Sequence, residues 1–217
     1  STAITQMYAT WVRAADKGKL AGALLLDLRG GFAMVSHQVL LDKLRVYGLS
    51  GNSLSWFQSY LDGRKQCVQV ESSFSPFLSV ETGVPQDSIL GPLLFVIFLN
   101  DLPFSVSGSM EESDIIVYAD DNTPVTVESD PVILESNIQR MATLATEWIT
   151  DNKLACSGEK TKLLVVGTPQ NRRNKLGDRV LTVEVCGDQV VESEAENLLG
   201  IVINQTGTWR NHINGYT

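Results

Sequence analysis

Asp120 and Asp121 stand side by side between two apolar runs, Ile115-Ile116-Val117-Tyr118-Ala119 and Pro124-Val125-Thr126-Val127. That pattern predicts a strand, an acidic turn and a second strand. Two adjacent carboxylates at the tip of an apolar hairpin repel each other in a partly dry place, which makes ionising both costly. A divalent cation removes the cost. Mg²⁺ takes hard oxygen ligands and is typically held by one or two carboxylates plus substrate phosphates, which suits a tight aspartate pair joined by one carboxylate from a neighbouring strand. Asp27 is the candidate. The run Ala21 to Leu28 is apolar on successive residues and too short for a comfortable helix, so it reads as a strand buried on both faces that delivers Asp27 at its C-terminal end. An aspartate pair alone would serve equally as a solvated turn; the rest of the chain decides between the two.

The elements that must position these carboxylates follow from periodicity. Ile4, Met7, Tyr8, Trp11 and Val12 recur at helical spacing over Ile4 to Ala15. His37 to Tyr47 predicts a helix stopped by Gly48, and Leu54 to Leu61 a shorter one ending at Asp62-Gly63. Cys67 to Val70 and Pro76 to Val80 alternate as a hairpin around Ser72-Ser73. Gly83 to Ser88 is a loop, and Pro92 opens the nearly all-apolar helix Leu93 to Leu99, which is expected to be buried. Asp130-Pro131 opens a long amphipathic helix whose inner face is Leu134, Ile138, Met141, Ala145, Trp148 and Ile149. Lys162 to Val166 is a strand, Val180 to Val185 with Val190-Val191 a hairpin, and Leu198 to Ile203 a closing strand. Strands and helices mix irregularly, which favours an α+β fold with a mainly antiparallel sheet.

Composition narrows the function classes. With 217 residues, 43% of them hydrophobic and 19% charged, the chain can bury a sizeable core of one or two domains. Residues Ser1 to Thr10 carry no initiating Met, basic region or apolar run, so a secretory or transit leader is not expected and the chain reads as cut from a longer, intracellular polypeptide. No apolar run approaches the roughly 20 residues of a membrane span. Cys67, Cys156 and Cys186 lack paired spacing or neighbouring histidines and read as reduced thiols. The net charge of −8 argues against a self-sufficient nucleic-acid binder. Two local basic groups, Arg64-Lys65 and Arg172-Arg173 with Lys175, read as solvated turns.

Ordered along the chain are Leu24-Leu25-Leu26-Asp27-Leu28 with Phe32; Leu41-Asp42-Lys43-Leu44, Tyr47-Gly48-Leu49 and Trp56 through Tyr60-Leu61 to Arg64; Gly83-Val84-Pro85-Gln86 with Leu90-Gly91-Pro92-Leu93-Leu94-Phe95 and Asn100-Asp101-Leu102-Pro103. Tyr118-Ala119-Asp120-Asp121, then Trp148, Asn152-Lys153-Leu154, Lys160-Thr161-Lys162 and finally Leu198-Leu199-Gly200-Ile201 complete the series. In this order and spacing the sequence resembles the reverse transcriptase family, most closely the polymerases of non-LTR retrotransposons of the jockey kind.

The resemblance implies an RNA-directed DNA polymerase palm, an antiparallel sheet with a ferredoxin-like core packed on helices. Residues 1–20 would be a residual fingers or entry helix, 21–166 the palm with part of the fingers at about 36–82, and 167–217 the end of the palm and the start of the thumb connection. Asp27, Asp120 and Asp121 would hold two Mg²⁺ ions (Mn²⁺ as substitute) roughly 3.5–4 Å apart for phosphoryl transfer from a dNTP to a primer 3′-hydroxyl. By the same resemblance the Leu28 carbonyl is a further ligand, the Phe32 ring closes the space beneath the sugar C2′, Gln86 touches the incoming nucleotide and template, and Lys160 protonates the leaving pyrophosphate. His37 reads instead as a hydrogen-bonding residue at a helix start. The expected partners are an RNA template, a DNA primer and dNTPs, with the endonuclease, most of the fingers and the thumb supplied by the rest of the parent chain, and the expected location is cytoplasm and nucleus. Trp209 and His212-Ile213 resemble the continuation toward that thumb.

Departures from the family pattern cluster around the candidate site. Arg29-Gly30-Gly31-Phe32-Ala33-Met34-Val35-Ser36 stands where related elements read Ser-Lys-Ala-Phe-Asp-Thr-Val-Asp, so carboxylates are missing at Ala33 and Ser36. Asp87 replaces a Gly that lets backbone approach nucleic acid, Asn122 replaces a Thr or Ser, and Cys156-Ser157-Gly158 departs from a Leu-Asn pattern. These changes predict a degenerate copy with impaired activity. The alternative is a catalytically inactive palm remnant, acting at most as an RNA-binding or inert module.

Overall fold

A computed structural model describes residues 2–85, 88–107, 112–119 and 121–208. Helix α1 (Thr2–Asp16) leads into β1 (Leu20–Asp27), and a single turn, α2 (Gly31–Met34), precedes α3 (His37–Val46) and α4 (Gly51–Leu61). Four two-residue strands follow: β2 (Lys65–Gln66), β3 (Gln69–Val70), β4 (Ser73–Phe74) and β5 (Leu78–Ser79). Next come α5 (Gly91–Leu99), α6 (Leu102–Ser107), β6 (Ser113–Tyr118), β7 (Asp121–Glu128), α7 (Pro131–Asp151) and β8 (Lys162–Val166). The described chain closes with α8 (Pro169–Lys175) and two hairpins, β9 (Thr182–Val185) with β10 (Asp188–Val191) and β11 (Ala195–Leu198) with β12 (Ile201–Asn204). The chain divides into two compact units, one of Ser1–Leu28, Asp101–Ile149 and Cys156–Thr217, the other of Arg29–Asn100 and Thr150–Ala155.

The first unit is built on an antiparallel sheet ordered β6-β7-β1-β8, with β1 inside it. Because side chains alternate across a strand, β1 can be apolar at successive positions only if both sheet faces are covered. On one face, Met7, Trp11 and Ala14 of α1 pack over Ala21 and Ala23 of β1, Val125 and Val127 of β7, and Leu164 and Val166 of β8, with Leu198 and Ile203 of the last hairpin joining them. Toward the other face Gly22 approaches α7, where an added Cβ would stand 2.3 Å from Ile138 Cδ1. The predicted inner face of α7 is buried in full, with Ala142 added to it. Each fully buried Leu or Met here contributes on the order of 2 kcal/mol relative to exposure.

In the second unit, α3 is capped by Ser36, whose side chain accepts from the Val39 N–H. Its Lys43 ammonium donates to the Phe98 carbonyl at 2.7 Å and sits 4.6 Å from the centre of that ring, which satisfies a carbonyl at the C-terminal end of α5. Phe32 stacks on Phe95 of α5 with ring centroids 4.2 Å apart.

Several expectations need correction. Helix α5 is not buried all round: Leu94, Phe95, Phe98 and Leu99 are buried, while Leu93 and Val96 are 53% and 55% exposed. The closing strand is two strands, because Leu199 and Gly200 take φ +49 and +85 and turn the chain back as a two-residue hairpin loop. Strand β7 begins at Asp121, so that carboxylate stands on the strand and not in the turn; Pro124 within it has no N–H to give, and the ladder to β1 skips from Ala23↔Val125 to Leu26↔Asn122. Arg172-Arg173 and Lys175 lie on α8, opened by Thr168 as N-cap and Pro169 after it, a signal present in the sequence. Arg172 is no solvated turn residue: it donates to Val165 O and Glu192 Oε1, each at 2.7 Å. Cys156 and Cys186 form a disulfide, with Cα atoms 6.6 Å apart, where reduced thiols were expected; only the folding of the β9–β10 tip against Cys156 brings the two together. Among the described residues no helix is long and apolar enough to cross a membrane.

Candidate active site

The end of β1 and the start of β7 put Asp27 directly opposite Asp121. Asp27 turns its peptide groups the other way: its N–H donates to Thr161 Oγ1 at 3.4 Å and its C=O accepts from Ser157 N at 3.1 Å. Asp27 and Asp121 therefore form a non-hydrogen-bonded antiparallel pair, the kind in which Cα atoms come to about 4.5 Å and the side chains are nearest. Both carboxylates leave the same face of the sheet. Asp27 is half-buried and Asp121 exposed.

Strand β7 can begin at Asp121 because the hairpin turns tightly before it. Tyr118 pairs with Asp121, and Ala119 in the intervening two-residue loop has φ +54, the left-handed conformation such a loop demands. Asp120, the other loop residue, lies outside the described residues, as does Gln86.

A cavity of about 260 Å³ opens over the aspartate pair. Asp27, Asp121, Lys160, Lys162 and Glu196 supply its charged lining, and the β11–β12 hairpin forms one wall through Glu196 to Leu199. Lys160 and Lys162 are both exposed and line the cavity with the carboxylates, Lys162 Nζ donating to Glu159 O at 3.2 Å. The sequence therefore reached three members of this site, Asp27, Asp121 and Lys160. It missed Glu196, which no motif announces and which arrives only because the last hairpin folds beside β8. Among the described residues, no group of three or more His, Cys, Asp or Glu side chains could by itself hold a metal ion. Two opposed carboxylates on one face are nevertheless a donor set that suits a hard cation completing its shell with phosphate oxygens.

Leu28 is buried and bridges to Cys156. That bridge is made by its neighbours, Ser157 N to Asp27 O and Arg29 N to Ala155 O, so alternation points the N–H and C=O of Leu28 away from Cys156. Phe32 belongs to the second unit, where its carbonyl accepts from Val84 N at 2.8 Å. Gly83 accompanies it with φ +91, and a Cβ there would stand 2.7 Å from Ala33 O, so the Gly before Val84-Pro85 is required by both conformation and space. His37 donates through Nε2 to the Gly83 carbonyl at 2.8 Å, the hydrogen-bonding role expected of it at the start of α3.

The profile of the reverse transcriptase (RNA-dependent DNA polymerase) family matches residues 2–203. The chain belongs to that family. Its relatives include the RNA-directed DNA polymerase from mobile element jockey of Drosophila funebris, 29% identical over 205 residues, a match spanning 93% of this chain and 22% of that protein. The probable RNA-directed DNA polymerase from transposon X-element of Drosophila melanogaster is 34% identical over 106 residues, covering 49% of this chain and 12% of the relative. This reverse transcriptase-family chain thus spans about a fifth or less of the curated relatives it matches. Among solved structures, apo telomerase from Candida tropicalis superimposes with a TM-score of 0.64 at 13% identity, over 95% of this chain and 39% of that one. The α+β polymerase fold expected from the sequence is the fold of the chain.

Proposed function

We propose that this chain is the palm-bearing part of an RNA-directed DNA polymerase that copies a retrotransposon RNA by adding dNTPs to a DNA primer, inside the cytoplasm and nucleus. The observation that carries the reading is the Asp27–Asp121 pair, two carboxylates opposed on one sheet face beneath a cavity of about 260 Å³. Asp27, Asp121 and, by sequence, Asp120 would hold divalent cations such as Mg²⁺, a usual requirement of the family; these would acidify the primer 3′-hydroxyl and neutralise the triphosphate. The Leu28 carbonyl, turned away from Cys156, would add an oxygen to that site. Lys160, exposed at the cavity, would give a proton to the leaving pyrophosphate. Phe32, stacked on Phe95, would exclude a ribose 2′-hydroxyl, and Gln86 would contact nucleotide and template.

The departures from the family pattern fall into two kinds. Ser36, where the family pattern has Asp, caps α3, a role an Asp side chain also fills. Asp87 lies outside the described residues; because a carboxylate beside nucleic acid repels phosphate, we infer reduced turnover from it.

Primer extension on an RNA template by the complete parent polypeptide tests the reading. Mg²⁺-dependent incorporation of dNTPs is expected, faster in Asp87→Gly, and Phe32→Ala should admit ribonucleotides. No incorporation by either the parent or Asp87→Gly would leave the inactive-remnant alternative standing.

A further inference from the structure

Strand β8 stops pairing with β1 at Leu25↔Lys162, two residues short of Asp27. Beyond that point the N–H and C=O of Asp27 have no strand to bond on that side, yet both are satisfied. Ser157 N donates to Asp27 O at 3.1 Å, Asp27 N donates to Thr161 Oγ1 at 3.4 Å, and Thr161 Oγ1 donates in turn to Ser157 O at 2.8 Å. The ring of bonds is closed, and Ser157 and Thr161 are only 2% and 1% exposed. A hydroxyl is the group that can accept from Asp27 and donate to Ser157 at once.

We propose that Thr161 is a positioning residue, whose hydroxyl completes a turn that replaces β8 as the partner of Asp27 and so fixes where the Asp27 carboxylate points. The role rests on the polymerase reading above. The turn is itself rigid: Thr161 N donates to Ser157 O at 2.9 Å and Gly158 O at 3.1 Å, and Lys160 N to Ser157 Oγ at 3.3 Å. It is wedged against the β9–β10 tip, since a Cβ on Gly158 would stand 2.5 Å from Val185 O and 2.5 Å from Asp188 Cβ. The Cys156–Cys186 disulfide fastens the same two segments. Lys160 is carried on this turn, so one hydroxyl sets the place of Asp27 and of the proton donor beside it. Two residues four places apart on this turn serve separate ends: Ser157 satisfies the carbonyl of Asp27, Thr161 its amide.

The parent polypeptide carrying Thr161→Val or Thr161→Ser tests the assignment by two independent readouts. In single-nucleotide extension at a temperature where all forms are folded, T161V should lower kcat about ten- to a hundredfold with KM for dNTP little changed, the range seen when a residue orienting a ligand is lost. T161S, which keeps the hydroxyl, should stay within about threefold of wild type by the same measure. Amide hydrogen exchange across residues 24–29 should quicken in T161V and not in T161S. Should T161V fail to fold, Thr161→Ala removes the same hydroxyl with less bulk and takes its place. Wild-type kcat and wild-type exchange in the hydroxyl-free variant would overturn the assignment, as would equal losses in T161V and T161S. If the wild-type parent itself extends no primer, the polymerase reading fails, while exchange across residues 24–29 still decides whether Thr161 holds Asp27.

Discussion

Asp27 and Asp121 oppose each other across β1 and β7 without a hydrogen bond between their backbones, so two like charges occupy the closest cross-strand position a sheet offers. Such a pair costs stability in the absence of a cation. Asp121→Asn is therefore expected to stabilise the metal-free fold by a few tenths to about 1 kcal/mol at low salt. Urea denaturation in chelator, at low and high ionic strength, measures it. A variant less stable than wild type would show that the carboxylates are not in mutual repulsion.

Gly83 carries two separate requirements, φ +91 and a Cβ position 2.7 Å from Ala33 O. Gly83→Ala should cost at least about 2 kcal/mol. The loss should appear as a lower denaturation midpoint with unchanged m-value, whereas a midpoint equal to wild type would mean that the loop before Val84-Pro85 has room to rearrange.

Arg172 and Glu192 form the most buried ion pair among those described, with side chains 17% and 1% exposed. Glu192 also accepts from Gln205 Nε2 at 3.2 Å and from Leu181 N at 3.3 Å. Removing the cation alone leaves a buried carboxylate, so Arg172→Ala should cost about 3 kcal/mol, and adding Glu192→Ala should cost less than the sum of the single changes. A double-mutant cycle by chemical denaturation measures the coupling; strict additivity would contradict it.

Glu112 receives hydrogen bonds from Lys19 and Lys17, which hold its carboxyl below the ordinary value of 4.5. A carboxyl depressed in the folded state stabilises the fold above its unfolded pKa and loses that contribution as pH falls through the folded value. Wild type should therefore lose slightly more stability than Glu112→Gln on titration from neutral pH to below pH 4.5. The Glu112 carboxylate is exposed and the difference will be small. Parallel curves for both proteins would place the acid sensitivity elsewhere.

Much of this was legible before folding, for reasons that differ by element. The strand β1, the inner face of α7 and β8 follow from apolar periodicity, which core packing enforces. The break at Leu199-Gly200 was hidden because Leu198, Leu199 and Ile201 mimic a continuous strand, although Gly200 is a turn signal. The exposure of Leu93 and Val96 was hidden because a uniformly apolar helix does not say which side the core lies on. At the site, Asp27, Asp121 and Lys160 were found through their motifs, but Thr161 and Glu196 are brought there by long-range placement. Thr161 holds a residue 134 positions away, and no local pattern encodes that contact.

Incorporation of one dNTP opposite an RNA template by the parent polypeptide, compared among wild type, Asp27→Ala and Asp121→Ala in Mg²⁺, addresses the central claim most directly. The opposed pair predicts measurable extension by wild type and a loss greater than about a hundredfold in each variant, more than a residue behind the ligands would cause. Extension by either variant at the wild-type rate would contradict it.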